Sequence, residues 1–222
     1  MKKGLRILFL LLLPLFSNSQ TMQSILLQLP AACTPDLNAK QKATLLKHAF
    51  FEFSDDPEET IHYTLDTPIL KNYLSFGFDF TTGQSGFGSF ELKRFKTTKG
   101  SDIIIFSKYG GARSMYSQDT LKVFVVSNGK LIEQKKQHLL PQSINVGEFL
   151  KKQTPDSIRK NIENWSNTYY SLNREKPGQI EFNLSLPFMP EELEQWFLGD
   201  TFIFTWNGRS FTRKIGNQGV DD

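Results

Sequence analysis

The sequence predicts an α+β fold: an antiparallel β-sheet built from hairpins, with several short helices packed on it. Three observations carry this prediction. Residues 119–136 place two apolar-rich runs on either side of Asn128-Gly129, and both residue types accept the positive φ angles of a two-residue type I′ turn. Two stretches alternate with a period of two. Leu74, Phe76, Phe78 and Phe80 alternate with Ser75, Gly77 and Asp79, while Ile180, Phe182, Leu184 and Leu186 alternate with polar neighbours. Finally, the strands arrive as neighbouring hairpins and not as strands separated by helices, which argues against a doubly wound parallel sheet.

The Asn-Gly hairpin fixes its own register. Val126 should face Leu131, Phe124 should face Glu133, Val125 should face Ile132 and Val123 should face Gln134. One face then carries Leu121, Val123, Val125 and Ile132, and the other carries Phe124, Val126 and Leu131. A hairpin apolar on both faces needs cover on both sides, so it is placed inside the sheet.

The chain opens with a basic segment (Lys2, Lys3, Arg6), an apolar run over 7–16, and small residues at Ser17 and Ser19. This is the pattern of a secretory signal peptide, with cleavage expected before Gln20, and the run is far shorter than the roughly 20 residues of a spanning helix. Residues 20–222 are then expected to form one domain, with a possible weak internal boundary near 167–178. With the signal removed, the 26 basic residues fall to 23 and equal the 23 acidic ones. The pI of 8.8 therefore belongs largely to the leader, and no basic field remains to draw in nucleic acid or an anionic membrane. Cys33 is the single cysteine, so no disulfide within the chain is possible. It follows Leu29-Pro30-Ala31-Ala32, a faint lipobox with proline at an aliphatic position. The alternative is a small buried side chain.

In chain order, residues 22–29 should form a short helix stopped by Pro30. Thr34-Pro35-Asp36 offers an N-cap hydroxyl, a first-turn proline and an acid for a second helix running to about Phe51. Thr154-Pro155-Asp156 repeats that punctuation before Ile158, Ile162 and Trp165. Residues 54–60 read as an acidic turn, and their proline argues against a calcium loop. Strands are expected from about Ile61, with a glycine-rich turn at 81–88 and a break at Gly110-Gly111. Asn145 and Glu148 fit a variant capping box before Phe149 and Leu150. Pro190 should open a short helix, and a second Asn-Gly turn at Asn207-Gly208 should close a last hairpin. The total is roughly seven to ten strands and four or five short helices.

Specific catalytic motifs are lacking. His48, His62 and His138 show no HxxxH or HExxH spacing, and Ser85 misses the nucleophile elbow because Phe87 stands at the second glycine position. No P-loop or dinucleotide fingerprint occurs, so no catalytic residue, metal or cofactor is assigned. One pattern offers a binding surface. With a two-residue turn, Trp206 pairs with Arg209, Phe204 with Phe211 and Phe202 with Arg213, all on one face. Trp206, Arg209 and Arg213 could clamp an anionic or planar ligand. Equally, the aromatics could be core, with the arginines at its rim beside acidic partners.

In layout the chain resembles uncharacterised secreted bacterial domains of unknown function. The likeness lies in the leader, the Leu26-Leu27-Gln28-Leu29-Pro30 element, a helix, and hairpins with a Gly-Gly pair and an acidic residue inside 101–126. The resemblance implies secretion and a compact α+β domain, and it carries over no catalytic residue. The expected function is a secreted or periplasmic, non-catalytic binding or interaction domain, with a protein or small-molecule partner in the cell envelope. One rival is a hydrolase assembled from distant groups, such as His62 or His138 with Asp79, Asp102 or Glu133. Another is a subunit of an envelope assembly with an exposed apolar patch.

Overall fold

The computed structural model describes residues 20–56, 59–80, 86–112, 115–134, 139–141, 143–187 and 191–216. The predicted signal peptide, Ser85, His138, Pro190 and the C-terminal residues from 217 lie outside that set.

The fold is α+β and dominated by sheet. Strands β1 (Phe50–Asp56), β2 (Glu59–Leu65), β3 (Tyr73–Phe80), β4 (Phe87–Lys96), β5 (Asp102–Ala112), β6 (Met115–Ser127) and β7 (Lys130–Glu133) form a seven-stranded antiparallel sheet in chain order. Strands β8 (Asn167–Ser171), β9 (Gln179–Ser185), β10 (Thr201–Trp206) and β11 (Phe211–Gly216) form a second sheet in the order β11-β10-β9-β8. Helices α1 (Met22–Gln28) and α2 (Ala39–His48) precede the first sheet, and α3 (Asp156–Trp165) and α4 (Glu191–Glu194) accompany the second.

Each face of the large sheet carries a hydrophobic core. On one, Phe76, Phe90, Phe106 and Phe124 pack against Ile25, Leu26 and Leu45 of the two N-terminal helices, and the Phe76 and Phe90 rings stack 4.5 Å apart. On the other, Phe95, Ile105 and Val123 meet Tyr170, Phe182 and Phe202 of the second sheet. Each buried aromatic contributes about 1.5–3 kcal/mol of transfer free energy. The β6–β7 hairpin has the register its Asn-Gly turn dictates, with Val126 opposite Leu131, Val125 opposite Ile132 and Phe124 opposite Glu133. Asn128 and Gly129 both hold positive φ, at 50° and 72°. Phe124 enters one core and Val123 the other, so both faces are covered as the pattern required. The hairpin does not sit inside the sheet, however: β7 is its edge strand, and Ile132 is half exposed.

Several boundaries depart from the sequence reading, each for a local reason. The second helix is capped by Asn38 and not Thr34. Asn38 and Gln41 form a reciprocal capping box, which satisfies two backbone donors where Thr34 could satisfy one. That helix stops at His48, because Ala49 turns left-handed (φ 60°) and launches β1 at Phe50, eleven residues before the expected first strand. Thr154 does not cap α3 either, since its hydroxyl donates to Lys151 O at 2.7 Å. The capping box expected from Asn145 and Glu148 opens only one 3-10 turn, over Val146–Phe149.

Gly110-Gly111 does not break β5. Both glycines are paired with neighbours on both sides, and a Cβ on Gly111 would lie 1.8 Å from Met115 O. The pair is there because the backbones approach too closely for side chains. The last hairpin turns through four residues, not two. Asn207 Oδ1 accepts from the backbone N–H of both Arg209 and Ser210, at 2.9 Å each, so Trp206 pairs with Phe211 and Phe204 with Arg213.

The polar stretch at 167–178 is a joint between the sheets. It contains β8, and beyond that strand the chain wraps around the ammonium of Lys93 on β4. Lys93 Nζ donates to the carbonyls of Leu172, Asn173, Lys176 and Gln179 at 2.5–2.8 Å. Two residues away, Glu91 accepts from Leu172 N at 2.6 Å and from the Tyr73 hydroxyl at 3.0 Å. A β-bulge near Lys108 and Tyr109 supplies the second tie. There Gln118 donates to Lys108 O and Thr120 O and accepts from Tyr170 N of β8.

Candidate functional site

The second sheet covers only part of the large sheet's face. The remainder is defined by register. One cross-strand row reads Phe50, Thr64, Gly77, Ser89 and Tyr109, from β1 through β5. The adjacent row reads Glu52, His62, Asp79, Phe87 and Gly111. Partners across antiparallel strands share a face, and residues two apart on one strand do as well, so both rows line a single surface. They frame a recess of about 340 Å³ whose lining also includes Asp66 at the end of β2.

The two glycines in these rows shape the floor. A Cβ on Gly77 would come within 3.2 Å of Gly88 O, and Gly111 has no space for one at all. Polar groups converge over that floor. His62 Nε2 lies 3.1 Å from Glu52 Oε1, and its Nδ1 lies 4.0 Å from Asp79 Oδ1. The Asp79 side chain is 68% exposed and that of His62 28%, so the carboxylate projects into solvent while the imidazole lies lower. Ser75 Oγ, one row deeper, donates to Asp66. Burial pushes the Tyr109 phenol well above its usual range, and its hydroxyl acts as a neutral hydrogen-bonding group.

Aromatic rings stand at both ends of the two rows. At the β1 edge Phe50, 43% exposed, meets the His62 ring edge-on at 5.5 Å. At the other end Phe87 contacts Tyr116 at 5.0 Å, Tyr116 contacts Tyr169 of β8 at 5.5 Å, and Tyr169 contacts Tyr109 at 4.7 Å. The surface is therefore a trough with an imidazole low on its floor, exposed carboxylates around it and aromatic rings at its ends.

The residues singled out from sequence lie elsewhere and are engaged within the fold. Trp206 Nε1 donates to Lys96 O at 2.7 Å, and its ring packs with Phe95 and Phe211. Arg209 sits in the last hairpin turn, with Nε 3.4 Å from Thr98 Oγ1. Arg213 stacks 4.6 Å from the Phe202 centroid and bonds Glu148 at 2.8 Å. Of the rival catalytic partners, Asp102 pairs with Lys96 at 2.8 Å and Glu133 with Lys122 at 2.8 Å, while Asp79 approaches His62. Sequence reasoning named His62 and Asp79 only as remote possibilities. Their alternation on strands was the available signal, but bringing them together needed the register of β2 against β3.

Cys33 is buried in the first core, and burial raises its thiol pKa to about 11, so it packs as a small apolar side chain. Among the described residues no group of three or more His, Cys, Asp or Glu could hold a metal ion, and no helix is long and apolar enough to cross a membrane.

No family model matches this chain, and no curated protein matches it. Among solved structures, it is similar to a domain of an uncharacterized protein from Porphyromonas gingivalis W83. The TM-score is 0.61 at 12% identity, covering 88% of this chain and 98% of that one. At that identity the likeness is one of fold.

Proposed function

We propose that the chain is an exported, non-catalytic binding domain of the bacterial cell envelope, and that its ligand sits in the trough formed by the two rows of β1–β5. The observation that carries this reading is the recess of about 340 Å³, where His62, Asp79, Asp66 and Ser89 converge beside exposed and half-buried aromatics. Binding sites combine a few placed polar groups with aromatic surface in this way. Export rests on the basic, apolar and small-residue leader over 1–19.

The hydrolase reading asked for a histidine and a carboxylate within hydrogen-bond reach in a pocket, and His62 with Glu52 meets that distance. The arrangement favours binding over nucleophilic chemistry because the carboxylates beside His62 stand in solvent, the Glu52 side chain 56% and the Asp79 side chain 68% exposed, and not in a water-excluded cleft. For the envelope-subunit reading, the large exposed apolar residues among those described are Leu27, Phe50, Ile132, Trp165 and Leu198. They lie on different elements, with Phe50 and Ile132 at opposite edges of the large sheet.

The test is a thermal-shift measurement with the small-molecule fraction of the host envelope, on the wild type and on a Phe50→Ala, Asp79→Ala double variant. The Asp79 side chain is 68% exposed and Phe50 is 43% exposed, so the unliganded melting temperature should fall only slightly. The expected result is stabilisation of the wild type that the variant loses. Equal stabilisation of both proteins would remove the trough as the site.

A further inference from the structure

We infer that the ligand of this trough is a neutral, polyhydroxylated molecule, a short oligosaccharide lying across strands β1–β4. The inference rests on the assignment of the trough as a binding site and adds the chemical class of the ligand. Three observations point to it.

The first is charge. Asp66 and Asp79 line the recess, Glu52 stands beside His62 at its β1 side, and His62 is the one basic side chain among the described lining residues. A phosphate, sulfate or uronic acid would meet these carboxylates with no guanidinium or ammonium among the described lining residues to compensate, and like-charge juxtaposition disfavours such ligands. The second is the inventory of hydrogen-bonding groups. Carboxylates accept two or more hydroxyl protons each, while Thr64, Ser89 and the neutral Tyr109 hydroxyl can both donate and accept. A hydroxyl-rich ligand uses both capacities at once.

The third is shape. Adjacent strands lie about 4.8 Å apart, so the distance across the three gaps from β1 to β4 is about 14 Å. Phe50 closes one end and Phe87 stands at the other. Rings at both ends of an open polar floor suit stacking against the C–H faces of successive sugar rings. A protonated amine is the competing ligand class for these carboxylates, and the spermidine titration below separates it from a saccharide.

The experiment is binding of the full mature protein to a printed array of neutral and anionic glycans. It runs in parallel with thermal-shift titrations using spermidine and the envelope small-molecule fraction. Wild type, the Phe50→Ala, Asp79→Ala variant and a Trp165→Ala control on α3 are compared. The expected result is binding to a set of neutral glycans, retained by the control and weakened at least tenfold in the double variant. Binding confined to anionic glycans, or a spermidine shift without glycan binding, would overturn the saccharide class. A variant-sensitive shift with the envelope fraction but no glycan binding would also overturn the class, while leaving the trough as a site. Loss of every ligand response in the wild type would overturn both assignments.

Discussion

Replacing Lys93 with methionine is expected to lower the unfolding free energy by about 3–5 kcal/mol, in the range found when one partner of a buried charged network is removed. Lys93 is fully buried, and its ammonium is the donor shared by four carbonyls of the chain between β8 and β9. Methionine matches the length of the stem but donates nothing. The desolvation cost of the ammonium is recovered, and that cost is real: burial lowers the Lys93 pKa to about 8. It is outweighed because each buried carbonyl left without a donor costs about 1–3 kcal/mol. The loop between β8 and β9 would then loosen from β4, and with it the seam between the two sheets. Urea denaturation of both proteins at pH 7 measures the difference, and a loss below about 1 kcal/mol would show that the loop is held by other contacts.

The second large effect is a dependence on pH set by Glu91. Burial raises its pKa to about 7, against the two hydrogen bonds from Leu172 N and Tyr73 and the nearby charge of Lys93. A folded-state pKa above the unfolded value of 4.5 means that the folded protein holds the proton more tightly. The associated stability is therefore fully present below about pH 4.5 and is lost as pH rises through 7. The loss is on the order of 3 kcal/mol. Lys93 acts in a separate window. Its lowered pKa contributes stability above about 10.5 that is lost as pH falls through 8. A Glu91→Gln variant keeps an acceptor for Leu172 N, and the Tyr73 hydroxyl can turn to accept from the new amide. Denaturation curves at pH 4.5 and pH 7 should show the wild type losing stability over that interval while the variant stays level. Parallel behaviour would place the titration elsewhere.

What the sequence disclosed was local. Asn128-Gly129 gave both the turn and the register of β6 and β7, because two-residue loops leave the strands no freedom to slip. The two apolar faces of that hairpin announced a layer on each side of the sheet. The same dipeptide misled at Asn207-Gly208, where the asparagine side chain captures two backbone donors and lengthens the loop. Glu91 and Lys93 alternate with Phe90 and Leu92 and so read as a solvated face. Only the return of residues 172–179 over β4 makes them interior, and that contact joins residues about eighty positions apart. The trough was illegible for a related reason. Its two rows draw two residues from each of five strands, and every additional pairing multiplies the registers that alternation alone allows.

The most direct test of the trough is backbone-amide chemical-shift mapping by NMR, titrating the mature protein with the small-molecule fraction of its host's envelope. Perturbations are expected at Phe50, Glu52, His62, Thr64, Asp79 and Ser89, with the last hairpin silent. Perturbations concentrated at Trp206, Arg209 and Arg213 would contradict this assignment and place binding on the β10–β11 face.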